Sequence, residues 1–181
     1  EVGGAHIQGI LGIGGENQGE ILVLTENEHT PISKSMINDS HKGKILVGGS
    51  YLSIDAYKKA QSLGVSGIVV GGFDYNSLSN LLGYKLGVAI TGSEEIATTL
   101  VVTEGFGKIS MSKRTYELLK SFEGNMASIN GATQIRAGVI RPEIIITNQN
   151  NNTTKIDDSE LAIQEGSIVR IIRDPFFGKV G

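Results

Sequence analysis

The sequence predicts an α/β fold: a small, mainly parallel sheet with flanking helices, extended by β-hairpin or barrel-like additions. Three observations predict it. Apolar and polar residues alternate through the opening third, the period of half-buried strands. The period then switches: an apolar run at 44–47 is followed by Ile54, Tyr57, Ala60 and Leu63 at helical spacing, and by a second apolar run at 67–70. Glycine, 25 of 181 residues, recurs just after these apolar runs, at Gly48, Gly49, Gly71, Gly72, Gly92, Gly105, Gly107 and Gly131.

Each element follows in order. Residues 6–11 and 20–24 bracket a Gly-rich bend and read as a hairpin, so 1–43 form an N-terminal β-hairpin region packed on the core. The α/β core domain spans 44–147. Ser53 is placed to cap a helix that Gly64 ends, and strand, helix, strand with short links is a right-handed crossover, so the strands at 44–47 and 67–70 are expected to be parallel. A short helix at 77–82 stops at Gly83, and strands follow at 88–91 and 100–103. A longer helix over 111–122, capped by Ser110 and ended by Gly124, carries Leu118 and Leu119 on its apolar face, and a strand at 127–129 comes next. The run 139–146 closes the core; Pro142 lacks the amide hydrogen a ladder needs, so an edge strand or a bulge is expected there.

Residues 148–154, Asn-Gln-Asn-Asn-Asn-Thr-Thr, hold no apolar side chain, which is linker composition. The reading is therefore an Asn-rich linker at 148–165 and a β segment at 166–181. Between Lys155 and Glu165 one Lys faces four acids; from Gly166 on, Arg170, Arg173 and Lys179 face Asp174 alone. The closing segment is locally basic.

Composition narrows the function. With 39% hydrophobic and 19% charged residues and no apolar run near the roughly 18 to 20 residues of a membrane span, the sequence points to a globular protein outside the membrane. A net charge of −3 gives no bulk attraction to nucleic acid. Zero Cys removes disulfides, thiol nucleophiles and thiolate metal sites, and suits the reducing cytoplasm. Glu1-Val2-Gly3-Gly4 has neither an initiator Met nor a signal-peptide pattern, and a second strand has only started at Lys179-Val180 when the sequence stops, so both ends read as cut.

The glycines mark the first place to look for chemistry. In a parallel sheet the carboxyl ends of the strands form the ligand-binding edge, and Gly permits close backbone approach there. The residues that share this edge as candidate ligand contacts are Gly49, Ser50, Gly72, Thr91, Glu104, Gly105, Asn130, Gln134 and Arg136, with Glu94, Thr133, Lys108 and Arg114 as further polar neighbours. Helix N-termini at Ser53 and Ser110 offer unpaired amides to a small anion. The competing account is that tight strand-to-helix turns need Gly with or without a ligand.

Sharper motifs fail. Ser110-Met111-Ser112-Lys113 fits S-x-x-K, yet neither S-D-N nor K-T-G follows. Gly12 to Glu16 lacks the spacing and the Lys of a phosphate loop. His6, His29 and His41 have no second ligand at metal-site spacing, and Glu94-Glu95 read as an acidic first turn rather than an acid/base pair. Hence no catalytic residue, metal site or cofactor is assigned.

Two resemblances add to this reading. The tail "GSIVRIIRDPFFGKVG" resembles the KOW motif of bacterial transcription elongation factors and some ribosomal proteins, a β-hairpin whose positions Gly166, Val169, Ile171, Pro175, Phe176, Gly178 and Gly181 occupy here. The resemblance implies contacts to RNA, ribosome or a protein partner through Arg170, Arg173, Phe176 and Lys179. The stretches "KILVGGSYLSIDAYKKAQSLGVSGIVVGGF", "TEGFGKIS" and "INGATQIRAGVIRPEIII" resemble a group of bacterial KOW-motif-containing proteins, and they are also similar to the swivelling β/β/α domains, which implies a three-layer arrangement. Some swivelling domains carry a phosphorylated His; here no His follows His41. Two functions are therefore expected to compete: a non-enzymatic binding or scaffolding module, and an anion-binding domain or enzyme using the Gly-rich edge.

Overall fold

The computed structural model describes residues 3–74, 76, 97–133 and 140–147. The chain divides into two units, Glu1–Gln149 and Asn150–Gly181, and all described residues belong to the first. Strands β1 (Gly3–Gln8), β2 (Leu11–Ile13), β3 (Glu16–Val23), β4 (Ile45–Val47) and β5 (Tyr51–Leu52) precede helix α1 (Ile54–Ser62). Strands β6 (Gly67–Phe73) and β7 (Thr99–Phe106), helix α2 (Lys113–Ser121), and strands β8 (Met126–Asn130) and β9 (Glu143–Thr147) complete the order.

The strands run β1-β9-β8-β3-β4-β6-β7-β2, with β5 added on β6. The expected crossover is present: β4, α1 and β6 are consecutive, and Ile45 to Val47 pair in parallel with Gly67 to Val69. The sheet as a whole is not mainly parallel. Among the described residues, the β3–β4, β4–β6, β5–β6 and β6–β7 pairings are parallel, and β1–β9, β8–β9, β3–β8 and β2–β7 are antiparallel. Strand β3 joins the two kinds. Its residues Glu16 to Glu20 pair with β8, and Ile21 to Val23 pair with β4.

The N-terminal hairpin is corrected as well. Strands β1, β2 and β3 follow one another, yet β1 pairs with β9, β2 with β7, and β3 with β8 and β4. Gly12 lies inside β2, paired with Val101, rather than in a bend, and its lack of a Cβ lets the Gly131 backbone and the Pro142 ring pack close. Pro142 precedes β9 and accepts a hydrogen bond from the Gly9 amide at 2.8 Å. Strand β9 lies between β1 and β8, so it is neither an edge nor bulged at that proline.

The parallel strands are apolar on both faces, and successive side chains enter different cores. Leu46, Ile68, Val70, Leu100 and Val102 join Ala56, Tyr57 and Ala60 of α1 in the first. Ile45, Val47, Val69 and Val101 join Tyr116 and Leu119 of α2, with Ile7, Ala127, Ile129, Ile144 and Ile146 of the antiparallel strands, in the second. Burial on both faces is why these runs lack the polar alternation of an exposed strand. Each fully buried Ile or Leu contributes roughly 1.5–3 kcal/mol.

Helix α1 starts as its sequence reads: Ser53 Oγ accepts from the Ala56 amide, and Gly64 takes a φ of 73° beyond its end. Helix α2 starts later than expected. Its cap is Ser112, whose Oγ accepts from the Thr115 amide, and Ser110 serves elsewhere. Its apolar face is also turned: Tyr116 and Leu119 are buried, and Leu118 is exposed. The expected helix at 77–82, the strand at 88–91, the linker and the tail lie outside the described residues.

Candidate functional site

The carboxyl ends of β4, β6 and β7 stand side by side, and Gly72 pairs with Gly105 across β6 and β7. Two loops cover this edge. A Cβ on Gly71 would collide with the Ile109 carbonyl and the Met111 amide, and one on Gly49 with the Asn27 and Thr30 carbonyls. Gly49 is the hub: its amide donates to Thr30 O at 3.1 Å, and its carbonyl accepts from the Gly71 and Met111 amides at 3.2 and 3.0 Å. The glycines thus let backbone pack on backbone, and the space above them is filled by residues 27–30 and 107–111.

The polar residues nominated for this edge are used within it. Ser50 is buried and donates through Oγ to the His29 carbonyl at 2.7 Å. The Glu104 carboxylate accepts from the Ser112 amide at 2.9 Å and so steers the entry to α2. Arg114 lies on the exposed side of α2. Asn130 is not on this edge. Strand β8 runs antiparallel to β3, and its end, Asn130, pairs with Glu16 at the far end of β3 from β4. There Asn130 accepts from the Ala132 amide, and Thr133 bonds the Gly12 backbone. Thr91, Glu94, Gln134, Arg136, Arg170, Arg173, Phe176 and Lys179 lie outside the described residues.

Beside the filled edge is a cleft of about 520 Å³. The β3–β4 connection supplies His29, Pro31, Ile32, Ser33 and Lys34 to its wall. Strand β5 and the residues beside it add Ser50, Tyr51 and Ser53, and the β7–α2 connection adds Lys108 and Ser110. His29 ties two rims together, with its Nδ1 2.8 Å from Ser110 Oγ and its Nε2 3.5 Å from a Glu28 oxygen. Lys108 Nζ sits 5.7 Å from the centre of the Tyr51 ring, within cation–π reach. Burial, and next the charge of Asp74, push the Tyr51 phenol above its ordinary range.

Of this cleft the sequence nominated only Ser50, Lys108 and the capping residues Ser53 and Ser110. His29, Lys34 and Tyr51 carry no local signal, because connections far apart in the chain bring them together. Among the described residues no group of three His, Asp or Glu side chains is placed to hold a metal ion, and no helix is long and apolar enough to cross a membrane. Compared with protein-family models, curated proteins and solved structures, the chain gives no match.

Proposed function

We propose that this protein is a non-enzymatic binding or scaffolding module, in which the α/β unit is a rigid support and the KOW-like segment contacts RNA or a ribonucleoprotein surface. One observation carries the support role: the polar side chains best placed for chemistry at the sheet edge are spent on holding loops. Ser50 binds the His29 carbonyl, and Glu104 binds the Ser112 amide. A catalytic carboxylate or hydroxyl has to face a substrate, and these face backbone. The layering also favours a swivelling β/β/α arrangement, since α1 covers one face of the parallel strands and the antiparallel strands with α2 cover the other.

The nucleic-acid part of the proposal rests on the sequence of the tail. Arg170, Arg173 and Lys179 give it a local positive charge on a protein of net charge −3. A contact of that kind is electrostatic and weakens as salt displaces it. The full chain is expected to bind structured RNA with an affinity that falls steeply between low and physiological salt. Replacing Arg170, Arg173 and Lys179 together by Ala is expected to flatten that slope by about three phosphate contacts. RNA binding absent at low salt, or a slope unchanged by the triple replacement, excludes the proposal.

A further inference from the structure

We infer that the cleft between the β3–β4 and β7–α2 connections binds a small phosphate monoester, separately from any contact made by the KOW-like segment. Lys34 and Lys108 line it together with the hydroxyl-bearing residues Ser33, Tyr51 and Ser53. No carboxylate is among the described lining residues. Two described acidic groups stand close by: Glu28, beside His29, and Asp74, whose charge reaches Tyr51. On a chain of net charge −3, a wall of two cations and several hydroxyls is a local reversal of sign.

The donor set selects among anions. A phosphate monoester carries about −1.5 to −2 charges and three outward oxygens, against one charge and two oxygens on a carboxylate, so two lysines with several hydroxyls favour the phosphate. Lysine acts as a point charge on a flexible stem and suits a phosphate, whose oxygens point in several directions and accept from hydroxyls as well. The volume is in the range of small-molecule sites, roughly 300–1,000 Å³, so it admits a phosphate together with an organic body. Pro31, Ile32 and the Tyr51 ring offer that body an apolar wall.

Calorimetric titration of the full chain with phenyl phosphate tests this, with benzoate and matched sodium chloride as controls. Saturable binding of phenyl phosphate is expected, and benzoate is expected to bind more weakly. Lys34→Met and Lys108→Met keep the alkyl stem and remove the charge; each is expected to weaken binding about tenfold, the scale of one charge-assisted hydrogen bond. Lys34→Arg and Lys108→Arg keep binding measurable, and Lys58→Met, on the exposed side of α1, leaves it unchanged. The tail variant lacking Arg170, Arg173 and Lys179 is expected to bind phenyl phosphate like the parent protein, which separates this site from the RNA contact. No saturation, equal binding of benzoate, or indifference to both Lys→Met replacements overturns the inference.

Discussion

At the scale of single residues, the buried polar groups decide how the molecule responds to change. Tyr57 is fully buried in the first core, and its hydroxyl donates to the Thr98 carbonyl at 2.7 Å. Tyr57→Phe keeps the ring and leaves that carbonyl short of a donor, so a loss of about 1–2 kcal/mol is expected in chemical denaturation. Tyr57→Ala also opens a cavity and should cost about 3–5 kcal/mol. His41 gives a pH signature. Its Nδ1 accepts from the Asn38 amide, and burial, with Lys44 next in effect, holds its pKa below the usual 6.5. The unfolded chain therefore binds a proton before the native one does, and stability falls as pH drops below 6.5. Denaturation midpoints for the protein and for His41→Gln are expected to diverge at neutral pH and converge toward pH 5, the variant being the flatter. Parallel curves across that interval count against His41 as the source.

At the scale of elements, what the sequence made legible was whatever depends on neighbours in the chain. The β4, α1, β6 crossover, the Ser53 cap and the Gly64 stop are local, and the structure contains them. The start of α2 is not legible locally, because Ser110 and Ser112 are both competent caps and the Glu104 carboxylate, eight residues back, holds the Ser112 amide. Two replacements separate them. Ser112→Ala should cost about 1 kcal/mol, the worth of an N-cap. Ser110→Ala should leave the helix cap intact and remove only the link to His29. Gly48, Gly49, Gly107 and Gly131 follow strand ends as expected, whereas Gly71, Gly72 and Gly105 lie inside β6 and β7, and the loops that press on Gly49, Gly71 and Gly72 come from elsewhere in the chain. Gly71→Ala drives a methyl group into the Ile109 carbonyl and is expected to lower stability by about 1–3 kcal/mol or more, measured by equilibrium unfolding.

At the scale of the whole described unit, long-range pairing was the part hidden from sequence. Alternation marks 6–8 and 20–23 as strand, but it does not say that the strand breaks at Gly9-Ile10 or that β1, β2 and β3 part company to pair with β9, with β7, and with β8 and β4. Nor does it reveal that Asn130 and Gly49 lie toward opposite ends of the sheet, which follows only from the antiparallel register of β8 on β3. The same hidden register joins the two halves mechanically. Ile21 sits where β3 passes from β8 to β4, is fully buried, and lies in a core shared by the parallel and antiparallel strands. A sheet divided at that point into independent halves would unfold in two steps. A shared core predicts one step, because loss of either half exposes the apolar face of the other. Ile21→Ala is therefore expected to lower stability by about 2–5 kcal/mol while far-ultraviolet dichroism and tyrosine fluorescence still report a single, coincident transition. Separate midpoints for the two probes, widened by the replacement, would show that β3 is a linker between two folding units rather than the strand that makes them one.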